Sequence, residues 1–258
     1  MCSSDLGSLG LDLQAAGAEV RAWVHRPSTA ERARERGLAQ RVSTNPEVLR
    51  GCGLVVLALP LDQLLAPPPE LVAALPADAV VTDVGSVKAP VVAVWTPLTP
   101  GFVGGHPMAG TARAGVEAGE TDLFRGRPWV GTPTPSTEPQ ALALVRALAV
   151  AVGAHWLTCD AADHDQAVAL ISHLPVLVGA ALLRSAAAGS AAAGLGDLAR
   201  ALASTGFADT TRVGGGNPEL GTLMARYNRE ALLEALAGYQ EAITALQALV
   251  REIGRAHV

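Results

Sequence analysis

The spacing of hydrophobic positions changes once along the chain, near Asp160. Before that point, short apolar and β-branched runs alternate with stretches of helical periodicity, which predicts βαβ units and a doubly wound parallel sheet. The predicted strands cover residues 19–24, 54–59, 79–83, 102–104 and 129–131. After that point, helical patterns continue to about residue 251. We therefore predict an α/β domain over residues 1–159 and an all-helical domain over residues 160–258.

Local signals mark where several helices begin. Two pairs of residues have the spacing of a capping box, and two other pairs place an asparagine cap before a first-turn proline. These pairs are Ser28 with Glu31, Thr137 with Gln140, Asn45 with Pro46 and Asn217 with Pro218.

The longest apolar stretch, residues 168–183, is short for a membrane span, and it contains Ser172, His173 and Pro175. We interpret it as a buried helix that kinks at Pro175, because proline crowds the carbonyl of Ile171. Its predicted apolar face consists of Ala167, Leu170, Ile171, Leu174, Val178 and Ala181. By this pattern alone, His173 is a core residue.

Composition narrows the class of partner. The net charge is −5 and the arginines do not cluster, so the sequence predicts no nucleic-acid binding. Three widely spaced cysteines form neither a disulfide framework nor a metal site, which favours a reducing cytoplasm. Lys88 is the only lysine.

The beginning of the chain departs from what a doubly wound nucleotide domain requires. Such a domain opens with a strand that leads into a glycine-rich turn, whereas here only Gly7-Ser8-Leu9-Gly10 precedes the first helix. We expect residues 1–6 and 253–258 to be foreign to the natural protein and the first strand to be missing. Ser8 and Leu9 remain candidates for cofactor contact.

Residues at the ends of three predicted strands are the other cofactor candidates, because ligands bind there in open α/β sheets. His25, Arg26, Ser28 and Thr29 follow the first predicted strand. A guanidinium and two hydroxyls suit a 2′-phosphate, which favours NADP over NAD. The alternative is that Arg26 is a solvated loop charge and Ser28 only caps a helix.

The next two predicted strands end in further candidates. Leu59-Pro60 follows one of them, and Gly85-Ser86 follows the other. Gly85 would permit close approach of a ligand, and Ser86 offers a hydroxyl to cofactor or substrate. From spacing alone, Gly85-Ser86 is equally a turn before a helix.

Six sequence blocks occur in an order that resembles the prephenate/arogenate dehydrogenase family, over residues 7–251. They are DVGSVK at 83–88, GGHPMAGT at 104–111, HDQAV at 164–168, ISHLP at 171–175, DTTR at 209–212 and GGGNPEL at 214–220. The resemblance implies a Rossmann-like domain followed by a helical dimerisation domain, and hence a homodimer. It also implies a small-molecule substrate and a nicotinamide cofactor. The cysteine spacing and the length of the apolar stretch predict no metal and no membrane.

The resemblance further implies roles for single residues. His106 withdraws the proton of the substrate's ring hydroxyl, a task for which a neutral histidine is suited, and Ser86 holds the same hydroxyl. The implied substrate contacts are His173, Arg212, Thr111 and Gly110. His164 and Asp165 we interpret as structural, since acidic residues in a first turn suit the helix dipole.

The implied reaction is NADP-dependent oxidative decarboxylation of arogenate to tyrosine. Ala112 stands where many prephenate-using members carry glutamate, which favours the arogenate branch, whereas Ala208 replaces a frequent arginine. The alternatives are a prephenate dehydrogenase that makes 4-hydroxyphenylpyruvate and a non-catalytic cofactor-binding protein on the same scaffold. A β-hydroxyacid-type dehydrogenase would use a helix lysine, and residues 163–184 contain none.

Overall fold

The computed structural model describes residues 2–110 and 115–253, and the chain forms two compact units, Met1–His164 and Asp165–Val258. The predicted fold class is confirmed: the first unit is an α/β domain and the second is helical. In the first unit, the elements follow one another as strands separated by helices. They are α1 (Cys2–Ala15), β1 (Arg21–Trp23), α2 (Pro27–Glu35), β2 (Arg41–Ser43), a 3₁₀ helix (Pro46–Leu49), β3 (Leu54–Leu57), α3 (Leu61–Leu65), α4 (Pro69–Ala74), β4 (Val80–Asp83), α5 (Ala89–Leu98), β5 (Phe102–Pro107), a 3₁₀ helix (Val116–Ala118), β6 (Pro128–Thr132), α6 (Pro139–Ala151), β7 (His155–Thr158) and α7 (Ala161–Val168).

The strands form two separate sheets. β1 and β2 pair in parallel, while the other five strands lie in the order β3-β4-β5-β6-β7. All neighbouring pairs in this larger sheet are parallel except β5 with β6, which is antiparallel and makes the sheet mixed. All five predicted strands exist, with shifted ends, whereas β2 and β7 were not predicted.

A cavity of about 410 Å³ lies between the two sheets. Arg21, Ala22 and Trp23 of β1 line one side, and β3 lines the other. Within residues 2–110 and 115–253, β1 pairs only with β2 and β3 pairs only with β4, so each strand turns an open edge toward the cavity. Apolar side chains such as Leu9 from α1 and Leu148 from α6 also line it. The cavity is therefore bounded by two open strand edges and by apolar helix side chains, which are the neighbours that a buried central strand would have.

The predicted helix starts are confirmed where asparagine caps were expected. The Oδ1 atoms of Asn45 and Asn217 each accept a hydrogen bond of 2.9 Å from the amide two residues further on. The two capping boxes are wrong. α2 begins one residue before Ser28, with Arg26 as its N-cap, and Thr137 accepts from the Thr134 amide instead of capping α6. In both cases a proline enters the first turn, which sets the helix start.

The helical unit contains a π-helical segment, Ala169–His173, followed by α8 (Leu174–Ala192), α9 (Gly196–Leu202), α10 (Thr205–Thr211), α11 (Pro218–Tyr227) and α12 (Arg229–Glu252). The π segment lies directly before Pro175, where we predicted an irregularity. A π turn adds one residue and rotates the faces of the helix.

The predicted apolar face of this segment is wrong as a result of that rotation. His173 and Ala169 are buried, whereas Leu170 and Ile171 are 57% and 68% exposed. By length and apolar composition, the stretch Ala161–Ala192 could cross a membrane, and 22% of its most apolar window is buried within the chain. The prediction of a buried helix is therefore not met by the single chain.

The open edges of β1 and β3 generate a prediction about stability. We expect that adding a five-residue valine-rich strand and a glycine turn ahead of α1 raises the melting temperature by at least 2–4 °C, the shift that about 1 kcal/mol gives at this size. The gain arises from new ladder hydrogen bonds and buried apolar side chains. Thermal unfolding followed by circular dichroism measures it.

The matched control is the same extension with proline at its central position, because proline removes a ladder donor. An equal gain from both extensions, or from neither, would show that the cavity does not accept a strand.

Candidate active site

A buried ion pair joins the carboxyl end of β4 to the start of α5. The Asp83 carboxylate and the Lys88 ammonium are both 0% exposed and in direct contact. Asp83 also accepts hydrogen bonds from the amides of Gly85 at 2.8 Å and Gly105 at 3.0 Å. Lys88 donates a second bond of 2.7 Å to the carbonyl of Gly105. Each charge thus has several partners, as burial in a low-dielectric interior requires.

These contacts fix the peptide that precedes His106 on β5. Gly105 is bonded through both its amide and its carbonyl, and it has no room for a side chain. An added Cβ would lie 2.7 Å from the Asp83 carbonyl oxygen and 2.8 Å from Thr82 Oγ1. The backbone that carries His106 is therefore held by β4 and by the ion pair.

His106 is 6% exposed, and its ring contacts a second buried histidine. Its Nδ1 lies 2.8 Å from Nε2 of His164, in α7, and the two rings meet edge to face. His164 is 2% exposed. The two side chains come from positions 58 residues apart, yet they form one hydrogen-bonded pair inside the first unit.

Ser86 is half-buried in the turn between β4 and α5, next to the ion pair. Gly85 packs closely against two side chains, since an added Cβ would lie 2.8 Å from Leu64 Cδ1 and 2.9 Å from Asp83 Oδ2. Protein atoms already fill the space beside it. A side chain at this position would therefore have to displace Leu64 and Asp83.

Three of the predicted cofactor residues line the cavity between the sheets: Leu9, His25 and Leu59. Pro60 is exposed at the start of α3. Ser8 is fully buried, and its hydroxyl accepts a 2.9 Å hydrogen bond from the Glu120 amide. That hydroxyl is therefore already engaged within the protein.

An ion pair lines this cavity. Nε of Arg21 lies 2.9 Å from Oε1 of Glu19, and both residues line the cavity. The hydrogen bond from Arg21 lowers the pKa of Glu19 below its ordinary value, and the same bond raises the pKa of Arg21. Both side chains therefore stay charged at neutral pH.

Arg26 and Ser28 are exposed at the start of α2, which begins directly after β1. Neither side chain caps the helix, so the predicted capping role of Ser28 is wrong. Thr29 is half-buried, and its hydroxyl lies 3.4 Å from a guanidinium nitrogen of Arg32. A cation and a hydroxyl beside a helix N-terminus fit an anionic group such as a phosphate.

In the helical unit, His173 is 1% exposed at the end of the π segment. Its Nδ1 lies 3.1 Å from Nδ2 of Asn228, which also donates a 2.7 Å bond to the Asp165 carbonyl. Asn228 thus connects the two ends of this helical stretch. It orients the His173 ring through a contact between positions 55 residues apart, which no local sequence pattern predicts.

Arg212 follows α10 and is exposed. The segment behind it packs on α8 through two glycines. An added Cβ on Gly214 would lie 2.1 Å from the Ala180 amide nitrogen, and one on Gly179 would lie 3.0 Å from the Gly214 nitrogen. This close backbone contact holds the segment that carries Arg212 against the helix that follows His173.

The two remaining predicted substrate contacts, Gly110 and Thr111, belong to the segment after β5. Gly110 is exposed at the end of the loop after β5, and Thr111, like Ala112, lies outside the described residues. Among the described residues, no group of three or more histidine, cysteine or acidic side chains could hold a metal ion.

Sequence reasoning missed Asp83, Lys88 and Asn228, and it interpreted His164 as structural. One signal was available: the only lysine of the chain lies five residues after an aspartate at a strand end, in otherwise apolar surroundings. Lysine and aspartate are almost never fully buried unless they are paired, so this spacing was the one local indication that they could bury each other. The His106–His164 contact has no comparable local signal.

A strand-and-helix unit with ligand candidates at its strand ends, followed by a helical unit, is the layout of a two-domain dehydrogenase. Residues 9–158 match the family model described as prephenate dehydrogenase, nucleotide-binding domain, and residues 160–256 match prephenate dehydrogenase, dimerization domain. The chain belongs to the prephenate dehydrogenase family, as the six sequence blocks predicted.

Individual relatives agree with this assignment. The chain is 32% identical to prephenate dehydrogenase of Bacillus subtilis over 70% of its own length and 49% of the relative. It is 31% identical to cyclohexadienyl dehydrogenase of Zymomonas mobilis, over 80% of its length and 71% of the relative. The chain therefore spans about half the length of the Bacillus subtilis relative and 71% of the length of the Zymomonas mobilis relative.

Two solved structures are similar over nearly the whole chain. Synechocystis arogenate dehydrogenase is 42% identical, with a TM-score of 0.79 over 95% of this chain and 88% of that one. Prephenate dehydrogenase from A. aeolicus, in complex with hydroxyphenyl propionate and NAD⁺, is 25% identical, with a TM-score of 0.83 over 96% and 88%. The family thus includes neighbours named for both substrates.

The buried ion pair generates a prediction about stability. We expect Lys88→Met to lower the free energy of unfolding by about 3–5 kcal/mol, because it leaves the Asp83 carboxylate buried without its cation. Chemical denaturation measures the change. Arg200→Met is the control, since its partner Asp197 is 98% exposed and their pair lies on the surface, where we expect no resolvable change. Equal effects of both substitutions would contradict the structural role of the buried pair.

Proposed function

We propose that the chain catalyses the NADP-dependent oxidative decarboxylation of arogenate to tyrosine. The observation that carries this proposal is the buried His106, whose Nδ1 is tied to His164 while its backbone is fixed beside the Ser86 turn. Such a histidine is held in one orientation, as a general base must be. The 42% identity to Synechocystis arogenate dehydrogenase supports arogenate as substrate.

The proposed chemistry gives one role to each of four residues. His106 takes the proton of the ring hydroxyl, and Ser86 donates a hydrogen bond that holds this hydroxyl in place. In the helical unit, Arg212 binds a substrate carboxylate through its planar fork, and His173 contacts the substrate. The nicotinamide cofactor, when bound, supplies the hydride acceptor. Loss of carbon dioxide makes the ring aromatic, so the reaction runs essentially in one direction.

NADP is the proposed cofactor because of the donors at the start of α2. Arg26 and Ser28 are exposed there, directly after His25, which follows β1. This set would hold the adenosine part of the cofactor, with the guanidinium of Arg26 pairing with the 2′-phosphate. The A. aeolicus relative was solved with NAD⁺, which makes NAD the second candidate.

We also propose a homodimer formed through the helical unit. The family model matched by residues 160–256 is described as a dimerization domain. Large apolar side chains are exposed there in the single chain, on the π segment and on α12. They include Leu170, Ile171, Leu233, Leu246, Leu249 and Val250. A second copy that covers them would remove this apolar surface from water, which is the usual reason for such a patch.

The proposed role of His106 is tested by substitution. We expect His106→Asn to lower kcat by about 10²–10⁴, because the general base is lost. His155→Asn is the matched control, since His155 is exposed on β7 and should leave kcat unchanged. Initial rates are measured with arogenate and with prephenate, each with NADP and with NAD. Faster turnover of prephenate would overturn the choice of substrate, and an unchanged kcat in His106→Asn would overturn the mechanism.

The proposed choice of cofactor has its own variant. We expect Arg26→Asp to reduce kcat/KM for NADP at least about tenfold, because a charge-assisted hydrogen bond to phosphate is replaced by repulsion. kcat/KM for NAD should stay the same or rise, since an acidic residue suits free ribose hydroxyls. Arg146→Asp, an equal change of charge on the exposed side of α6, controls for net charge. A parallel loss with both cofactors would contradict the role of Arg26.

A further inference from the structure

His106 and His164 form a pair whose protonation has only two neutral arrangements. Their facing nitrogens, Nδ1 of His106 and Nε2 of His164, are 2.8 Å apart, so one proton lies between them. If the proton is on His106 Nδ1, then Nε2 of His106 carries a lone pair. If it is on His164 Nε2, the remaining proton of neutral His106 is on its Nε2. Only the first arrangement leaves His106 able to accept a proton at Nε2.

We propose that His164 is a positioning residue that holds His106 in the Nδ1–H tautomer. This inference rests on the proposed function, in which His106 is the base. His164 accepts the hydrogen bond through Nε2, and its own proton is therefore on Nδ1. Because both rings are buried, at 6% and 2% exposure, bulk water does not compete for this bond.

The pair also stabilises the product of the proton transfer. When the substrate O–H bond breaks, its proton goes to Nε2 of His106, and the neutral imidazole becomes an imidazolium. The hydride on the same carbon would leave with both electrons of its C–H bond, and the oxidised nicotinamide cofactor, when bound, would accept it. His106 keeps its Nδ1–H throughout, so the bond to His164 becomes charge-assisted and stronger as the charge develops. His164 thus favours the transition state over the ground state.

The backbone contacts of His106 and the side-chain contact are complementary. Asp83 and Lys88 hold the peptide of Gly105, which fixes where the His106 side chain starts. His164 fixes Nδ1 of the ring, which sets the rotation of the imidazole about the Cβ–Cγ bond. Together they leave the position of Nε2 determined, which is the requirement for a base that works at hydrogen-bond distance.

Two substitutions of His164 separate its hydrogen bond from its volume. We expect His164→Phe, which keeps a ring but offers no acceptor, to lower kcat by about 10–100-fold with little change in KM. His164→Gln places an amide oxygen near the former Nε2 and should recover most of this loss. Equal kcat values for wild type and His164→Phe would overturn the proposal, as would equal losses in both variants.

A second measurement does not depend on turnover. Long-range ¹H–¹⁵N spectra of histidine-labelled protein distinguish the two neutral tautomers of each ring. We expect His106 as the Nδ1–H tautomer in the wild type and a shift toward Nε2–H in His164→Phe. An Nε2–H signal for His106 in the wild type would overturn the proposal, even if the Phe variant did not fold.

The His106→Asn variant keeps the two hypotheses distinguishable. If His106→Asn loses activity and His164→Phe does not, the role of His164 is wrong while the proposed function stands. If His106→Asn retains full activity, the proposed function itself fails, whatever the tautomer of His106.

Discussion

The ion pair between Asp83 and Lys88 is the constraint around which the first unit is organised. Two opposite charges without solvent exposure are stable only if every remaining donor and acceptor finds a partner. The partners here are backbone groups of the β4–α5 turn and of Gly105 on β5. Satisfying the charges therefore fixes the separation of two strands and the shape of the turn between them. The proposed catalytic residues Ser86 and His106 are neighbours of these backbone groups.

Around His173, too, buried polar groups and their hydrogen-bond partners fix the local structure, although these groups form no ion pair. The π segment brings His173 and Ala169 inward and turns Leu170 and Ile171 outward. Asn228, at the start of α12, then bonds both the Asp165 carbonyl and the His173 ring. An irregular helix is thus held by a side-chain amide from another helix. Such irregularity is common at functional sites because it re-aims side chains.

Local patterns predicted the features that depend on neighbours in sequence. Hydrophobic runs predicted five strands, and Asn-Pro pairs predicted the helix caps at Asn45 and Asn217. β2 and β7 were not predicted because they are short and contain no buried residue, so they lack a buried apolar pattern. The contacts of Lys88 with Gly105 and of His106 with His164 join positions 17 and 58 residues apart, so periodicity gives no sign of them. The proposed roles of the site residues follow from sequence blocks that resemble a family. The buried ion pair and the histidine contact beside them are seen only in the structure.

The placement of Lys88 has a practical consequence for chemical labelling. It is the only lysine among the 258 residues, and its side chain is fully buried in the ion pair. An amine-reactive reagent therefore finds no accessible lysine while the fold is intact. Opening of the β4–α5 region would expose that amine, so the rate of lysine modification would report directly how often this part of the molecule opens.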